Sequence, residues 1–252
     1  MLSSIIKTLE YSKELIISPD IDGFFSAELL NRKYGSVVVG TYDKNILCLA
    51  DGVDPKTCLF VDCDMNTKDY VSIGNHMRLQ DDNMADLSFN PNRFYETKNY
   101  WQKYPYATCF LISAAIGTNL EPNDLQRMAH ADSTYLNMIK YGNNMRSWSS
   151  RLRVGDVEDI VNQTLDLSDM QTRYPEQGFA SRRFGHNRYI DTLNEALYNE
   201  KLSFAPLSTG VKYLSDKVGI NTVVRYNKDI ISYAEIYTDE YSVTYDKEVL
   251  WK

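Results

Sequence analysis

The chain has 252 residues and a mass of 29.1 kDa, and its 27 lysines and arginines against 34 aspartates and glutamates give a formal net charge of −7. This length is enough for one large domain or two modest ones, each with a hydrophobic core. Hydrophobic residues make up 43% and charged residues 24%, a balance that excludes a disordered chain. The acidic balance argues against binding of long duplex nucleic acid, which needs a basic surface. A bound metal can still attract a short anionic substrate.

Targeting and redox signals are weak in this sequence. The longest apolar stretches, such as residues 110–117, are too short to span a bilayer, and the first residues lack the apolar core of a signal peptide. We therefore expect a cytoplasmic protein with no membrane partner. The four cysteines show no C-x-x-C spacing, which predicts reduced thiols rather than zinc ligands: Cys48, Cys58, Cys63 and Cys109.

The first 75 residues alternate between helical and strand-like patterns. In chain order they predict a helix over 2–13, a strand at "ELIIS", a helix at "FFSAELLNRKYG" that Gly35 ends, and strands at 36–42, 57–62 and 70–75. This order is typical of an α/β unit with a mostly parallel sheet flanked by helices. Ligands bind such sheets at the carboxyl ends of the strands.

The rest of the chain predicts a long loop, more helices and then strands. Residues 77–104 form a loop-like stretch, and a loop of this length is usually functional. Helical patterns follow at 105–117 and 121–142. After a boundary near 150, a helical start and a helix at 189–200 precede strands at "NTVVRYN", "IISYAEIYT" and "EYSVTYD". We expect an α/β domain over 1–150 and a smaller α+β domain over 151–252 that contributes to substrate binding.

Two pairs of carboxylates directly follow predicted strands. Asp20 and Asp22 follow "LIIS", and Asp62 and Asp64 follow "CLFV". Parallel strands would bring both pairs to one edge of the sheet, where their mutual repulsion requires a proton or a cation between them. The alternative is helix capping, for which Asp22 followed by Gly23 is well suited. The presence of both pairs favours a metal site.

One histidine and one further aspartate are candidates to complete that site. His76 follows the predicted strand at 70–75 and opens the long loop, so it would also lie at a carboxyl edge. Asp132 falls within the predicted helix at 121–142, where aspartate is mildly unfavourable. Its neighbour His130 is expected to be structural. Carboxylate oxygens with an imidazole suit Mn²⁺ or Mg²⁺.

Four sequence segments resemble motifs I to IV of the DHH phosphoesterase superfamily. In order they are "SPDIDGFFSAELL", "FVDCDM", "SIGNHM" and "ADSTY". This superfamily includes RecJ-type exonucleases, nano-RNases, cyclic-dinucleotide phosphodiesterases and family II inorganic pyrophosphatases. The resemblance covers about residues 14–135 and implies a DHH-like fold for that part of the chain.

The resemblance also implies a role for each candidate residue. Asp20 and Asp22 would be the metal ligands of motif I, and Asp62 would be the motif II aspartate that bridges two cations. His76 would stand at a motif III histidine, and Asp132 would be the motif IV aspartate. The implied activity is phosphodiester hydrolysis in a nucleotide or short oligonucleotide by a metal-activated water.

The sequence departs from the family pattern at three places. The motif I histidine of many members falls at Ile16, and the Asp-His-His of motif III is replaced by residues 74–76, "GNH". The glycine-rich motif of the family's second domain is absent, with "RRFGHNRY" at 182–189 a partial likeness. Ligands therefore remain for one cation at Asp22, Asp62, His76 and Asp132, while a second site built on Asp20 is short of them.

Substrate binding is expected to involve cations and aromatic rings. The densest basic cluster is suited to phosphate contacts, although a solvated basic turn is an equally good interpretation: Arg182, Arg183, His186 and Arg188. Aromatic residues of the long loop are candidates for stacking on a base: Phe94, Tyr95, Tyr100 and Trp101. The expected partner is a nucleotide or a short single-stranded oligonucleotide, and an oligomer is compatible with the sequence.

Two other functions compete with this hypothesis. The altered motif III favours a catalytically degenerate member that binds a nucleotide, nucleic acid or protein partner. The "DIDG" that follows the first strand also resembles the nucleophile motif of haloacid-dehalogenase-like phosphatases, which would make Asp20 an aspartyl-phosphate nucleophile. That third hypothesis leaves Asp62 and Asp64 without a role.

Overall fold

A mixed six-stranded sheet with helices packed on it forms the main part of the structure. The structure is a computed structural model. It describes residues 1–18, 20–42, 47–50, 52–77, 83–95, 97–118, 120–121, 124–125, 128–129, 131–152, 204–206, 212–214, 230–237 and 240–245.

The elements follow one another along the chain as predicted in outline. The strands are β1 Glu14–Ile17, β2 Val37–Tyr42, β3 Leu47–Ala50, β4 Leu59–Val61, β5 Val71–Ile73, β6 Phe204–Pro206, β7 Lys212–Leu214, β8 Ile230–Tyr237 and β9 Glu240–Tyr245. The helices are α1 Leu2–Leu9, α2 Ile21–Tyr34, α3 Thr108–Ile116 and α4 Thr134–Leu152. Short 3₁₀ turns lie at Pro55–Thr57, Pro91–Phe94, Thr97–Gln102 and Ala131–Ser133.

The strand order of the main sheet is β5-β4-β1-β2-β3-β6. Strand β1 pairs in parallel with both β2 and β4, and β4 pairs in parallel with β5. Strand β3 is antiparallel to its neighbours β2 and β6. The predicted α/β class with a mostly parallel sheet is thereby confirmed.

The central strand β1 is buried on both faces. Leu15 and Ile17 point into the core that contains α1, α2 and α3, whereas Ile16 points into a second core beside Phe60 on β4. All four side chains are 0% exposed. Continuous apolar runs such as "LII" and "LFV" are typical of parallel strands covered on both sides, which is why the sequence predicts these strands so clearly.

The ends of helix α2 show how local sequence sets its length. Gly35 adopts a left-handed conformation with φ of 68°, and its N–H bonds to the carbonyl of Asn31. Glycine adopts this conformation without the steric cost that a Cβ imposes. The prediction that Gly35 ends this helix is confirmed, and β2 follows at Val37.

Within the predicted loop over 77–104, buried asparagines tie the chain to the sheet. Asn92 is 0% exposed and accepts a hydrogen bond from the Tyr104 N–H at 2.6 Å. Its amide nitrogen donates a short hydrogen bond to the carbonyl of Asn75, just after β5. This network fixes the position of the segment that follows β5.

The described C-terminal strands β7, β9 and β8 form a separate antiparallel sheet in that order. Strands β8 and β9 confirm the predictions for "IISYAEIYT" and "EYSVTYD". The predicted helix at 189–200 and the strand at "NTVVRYN" lie outside the described residues, and the boundary near 150 stays a prediction. Among the helices that the structure describes, none is long and apolar enough to cross a membrane.

Candidate metal centre

The first carboxylate after β1 caps helix α2. The Asp20 carboxylate accepts a hydrogen bond from the Gly23 N–H at 3.0 Å, a bond typical of an N-cap aspartate. The alternative interpretation of Asp22 as the cap of this helix is therefore wrong. A Cβ on Gly23 would lie 2.1 Å from the carbonyl oxygen of Ser18, so the helix can start this close to β1 only with glycine there.

Asp22 is the second residue of α2 and binds the start of a different helix. Its two carboxylate oxygens accept hydrogen bonds from the backbone N–H groups of Thr108 at 2.6 Å and Cys109 at 2.7 Å. These are the first two residues of α3, whose own N-cap residue, Ala107, provides no side-chain bond. Asp22 is 1% exposed and so serves as a cap supplied from a distant part of the chain.

Asp62 directly follows β4 and turns its side chain towards Asp22. It accepts hydrogen bonds from the hydroxyls of Ser18 at 2.5 Å and Thr108 at 2.9 Å, and it is 2% exposed. Its φ is 56°, in the left-handed region that non-glycine residues rarely adopt. The backbone bend at this residue allows the carboxylate to leave the plane of the strand and reach the site.

Asp132 approaches the same point from the turn before α4. It lies in the 3₁₀ turn Ala131–Ser133 with φ of 50°, and the turn ends where α4 begins. The prediction that Asp132 lies within a helix is therefore wrong. Its carboxylate is solvent-exposed and accepts a hydrogen bond from the Asn75 amide at 2.6 Å.

Three carboxylates from three elements thus form one acidic cluster: Asp22, Asp62 and Asp132. One oxygen of each lies within 4.8 Å of the others. Asp20 and His76 do not belong to this group among the described residues. The only two non-glycine residues with positive φ in the described part of the chain are Asp62 and Asp132.

Burial and mutual repulsion make the acidic cluster hard to ionise. Burial, followed by the charges of Asp132 and Asp20, raises the pKa of Asp22 to about 7 from an ordinary 3.8. Burial and then the charge of Asp22 raise the pKa of Asp62 well above its usual range. At neutral pH the cluster therefore needs either a shared proton or a cation.

The hydrogen bonds of Ser18 lead to the same conclusion. Its single hydroxyl lies 2.7 Å from an oxygen of Asp20 and 2.5 Å from an oxygen of Asp62. A hydroxyl carries one proton and can donate to only one of them. In the metal-free protein, the other contact is a hydrogen bond only if that carboxyl is protonated, and the raised pKa of Asp62 favours the proton there.

His76 lies beside the acidic cluster but binds a fourth carboxylate. Its Nδ1 is 2.6 Å from Asp64, which also accepts a hydrogen bond from the Asn90 amide at 2.5 Å. A Cβ on Gly74 would lie 2.4 Å from a carboxylate oxygen of Asp64. Only glycine at position 74 leaves room for the Asp64 carboxylate.

Sequence reasoning missed Asn75, which contacts the acidic cluster directly. Its amide nitrogen donates to Asp132 and to the carbonyl of Tyr106 at 2.9 Å. Its Oδ1 is buried and has no hydrogen-bond partner among the described residues. A buried polar atom left unpaired costs about 1–3 kcal/mol. The signal in the sequence was its place at the altered motif III, where the family has a histidine.

Of the two predicted substrate-binding features, the structure describes the aromatic residues but not the basic cluster. The basic cluster of Arg182, Arg183, His186 and Arg188 lies outside the described residues, as does His130. The aromatic residues Tyr95 and Trp101 line a cleft of about 620 Å³, together with the α4 side chains Tyr141, Trp148 and Arg151.

Comparisons with known proteins leave the family open. No protein-family model matches the chain, and neither the characterised proteins nor the solved structures give a significant match. The DHH relationship therefore remains a resemblance of four short segments.

Proposed function

We propose that this protein hydrolyses a phosphodiester bond in a nucleotide or short oligonucleotide with a divalent cation bound at the acidic cluster. The observation that carries the proposal is the convergence of Asp22, Asp62 and Asp132 within 4.8 Å. Two of these carboxylates are almost fully buried, and buried like charges are stable only with a proton or a cation between them. The exposed third carboxylate leaves the cluster accessible from solvent.

The family resemblance supports the same assignment by a separate route. It implies one metal site for five residues, of which three lie in the acidic cluster and two do not: Asp20, Asp22, Asp62, His76 and Asp132. The three residues of the acidic cluster are distant in the chain yet adjacent in space. Backbone strain at Asp62 and Asp132 adds support, because residues held at positive φ cluster at functional sites.

The residues around the cluster suit hydrolysis at phosphorus. A cation bound to carboxylates lowers the pKa of its water and stabilises the charge that develops on the phosphoryl oxygens. The imidazole of His76 contacts Asp64 through Nδ1, and we assign it proton transfer to the leaving oxygen in this proposal. We also propose that the chain has two domains, a DHH-like domain followed by a smaller α+β domain.

The cleft beside α4 supports a substrate that carries a base. Trp101 is 59% exposed at this cleft, and the Arg151 guanidinium stacks on Trp148 at 5.2 Å, an arrangement suited to a nucleobase. Helix α4 starts beside Asp132 and rises about 1.5 Å per residue, so its cleft residues lie on the order of 10–25 Å from Asp132 along the helix axis. An oligonucleotide is long enough to contact both places, whereas a mononucleotide is not.

The test is metal-dependent hydrolysis by the full chain. We expect a linear dinucleotide, a cyclic dinucleotide or a short single-stranded RNA to be cleaved with Mg²⁺ or Mn²⁺ and not with EDTA. Asp62→Asn keeps the size of the side chain and one acceptor oxygen for its two hydroxyl neighbours but removes the charge, so it should abolish cleavage while the circular dichroism spectrum is unchanged. Asp86→Asn is the matched control, because that side chain is 96% exposed. Equal activity of the Asp62→Asn variant would refute the proposal.

A second candidate function is binding without catalysis. It is favoured by Ile16, a fully buried core residue where the family has a metal-binding histidine, and by Asp20, which is occupied as a helix cap. A nucleotide that raises the melting temperature of the protein, with no cleavage under any metal condition, would support this candidate instead.

A further inference from the structure

The unpaired oxygen of Asn75 points to a ligand that the described residues do not supply. Both partners of the Asn75 amide nitrogen are acceptors, a backbone carbonyl and the carboxylate of Asp132. The NH₂ end of the amide must therefore face them, which fixes the orientation of the group. Asn75 is 6% exposed, and its Oδ1 has no partner among the described residues.

This oxygen lies at the edge of the acidic cluster. Oδ1 is bonded to the same carbon as Nδ2, and Nδ2 is 2.6 Å from the Asp132 carboxylate. The amide that carries this oxygen therefore contacts Asp132, one of the three carboxylates that lie within 4.8 Å of one another. A buried carbonyl oxygen with two free lone pairs is a ligand for a hard cation and not for an anion.

We propose that the acidic cluster binds a single hard divalent cation through oxygen atoms alone, with Asn75 Oδ1 as the fourth protein ligand. This inference rests on the proposed function, since it uses the same cluster. The ligand set of three carboxylates and one amide carbonyl suits Mg²⁺, which keeps waters in its remaining positions. Imidazole would favour Mn²⁺ over Mg²⁺, but His76 is directed to Asp64 and lies outside the group.

The surroundings of Asp20 explain why only one cation binds. Its carboxylate accepts hydrogen bonds from the Gly23 N–H and lies against the Ser18 hydroxyl. The side chain of Ile16 on β1 is fully buried and apolar. Asp20 is thus used as a helix cap, and among the described residues it is not grouped with the three carboxylates of the acidic cluster.

Calorimetric titration of the metal-free full chain tests this inference without reference to catalysis. We expect one Mg²⁺ per chain, with Mn²⁺ affinity within tenfold of the Mg²⁺ affinity. Asn75→Ala removes one ligand and should weaken Mg²⁺ binding at least tenfold. Asn75→His supplies an imidazole and should raise the ratio of Mn²⁺ to Mg²⁺ affinity at least tenfold. Asn144→His is the matched control, because Asn144 on α4 donates to the backbone carbonyl of Lys103 at 2.7 Å and takes no part in the acidic cluster, so it should leave both affinities unchanged.

The possible results separate this inference from the proposed function. The inference is overturned if two cations bind per chain, or if a folded Asn75→Ala variant binds Mg²⁺ as tightly as the wild type. Either result leaves the proposal of metal-dependent hydrolysis intact. An unchanged metal preference in Asn75→His overturns it as well. The absence of binding of either cation, by calorimetry and by equilibrium dialysis, refutes both. The stoichiometry is measured on the wild type, so it is informative even if an Asn75 variant fails to fold.

Discussion

The pH dependence of stability in the metal-free protein will show which interactions control Asp22. Two backbone N–H groups at the start of α3 stabilise its charged form, as at any helix N-terminus. Complete burial and the neighbouring charges of Asp132 and Asp20 oppose that charged form. The second effect dominates, with a pKa of about 7 against 3.8 for an ordinary aspartate.

The sign of the dependence follows from these two values. Between pH 3.8 and about 7 the folded Asp22 holds its proton while the unfolded one has lost it. The stability that Asp22 contributes is therefore complete below about pH 4 and is lost as the pH rises towards 7. A difference of about 3 pH units at 1.36 kcal/mol per unit gives a loss of about 4 kcal/mol.

Urea denaturation in EDTA at pH values from 4 to 8 measures this effect when Asp22→Asn is the reference. The amide cannot ionise, and it leaves one α3 N–H unpaired, a penalty of about 1–3 kcal/mol. Because the amide does not titrate, this penalty is the same at every pH in the range. We expect the free energy of unfolding of the wild type, relative to the variant, to fall by about 4 kcal/mol across the range.

Saturating Mg²⁺ should remove most of this decrease, because a bound cation keeps Asp22 ionised and replaces the proton. A wild-type advantage that stays constant or grows with pH in EDTA would refute the reasoning. It would mean that the two α3 hydrogen bonds outweigh burial and repulsion. The cluster would then hold its charges without a cation, and the main argument for a metal site would be lost.

Two further predictions concern glycine and asparagine positions near the site. Gly74→Ala places a methyl group 2.4 Å from Asp64 and should lower the free energy of unfolding by about 1–3 kcal/mol. Gly142 in α4 is the control position, because a Cβ there would lie 3.7 Å from its nearest neighbour. Gly142→Ala should raise the free energy of unfolding by up to about 1 kcal/mol. If the two substitutions had similar effects in urea denaturation, the close approach of Asp64 to Gly74 would be contradicted. Asn92→Leu leaves the Tyr104 N–H unpaired at a cost of about 1–3 kcal/mol, and an unchanged melting temperature would show that this network adds no stability.

The sequence predicts the centre of the sheet well and its edge poorly. Strands β1, β4 and β5 are short apolar runs followed by polar residues, which is a local signal of a buried parallel strand. Strand β3 was not predicted, and β6 pairs with it although the two are far apart in the chain. That pairing depends on long-range contacts, and a local pattern cannot reveal it.

The difference between local sequence signals and long-range contacts also applies to the candidate site. Asp22 and Asp62 could be identified because they follow predicted strands, and parallel strands end at one edge of the sheet. The partnership of Asp64 with His76 depends on the space left by Gly74, and the free oxygen of Asn75 depends on the orientation of its amide. Both arise only when distant segments pack together. Sequence order therefore gives the carboxylates but not the amide that accompanies them.

The acidic cluster ties the cation site to the placement of helix α3. Asp22 binds the backbone of Thr108, and Asp62 binds the hydroxyl of the same residue. The packing that brings the carboxylates together is thus the packing that caps α3, and ionisation of Asp22 costs the metal-free fold about 4 kcal/mol at high pH. A cation at one hundred times its dissociation constant returns about 2.7 kcal/mol, which offsets more than half of that cost. Because the two quantities are of the same order, cation binding and folding should be measurably coupled, and a filled site should restore at neutral pH more than half of the stability that the ionisation of Asp22 removes.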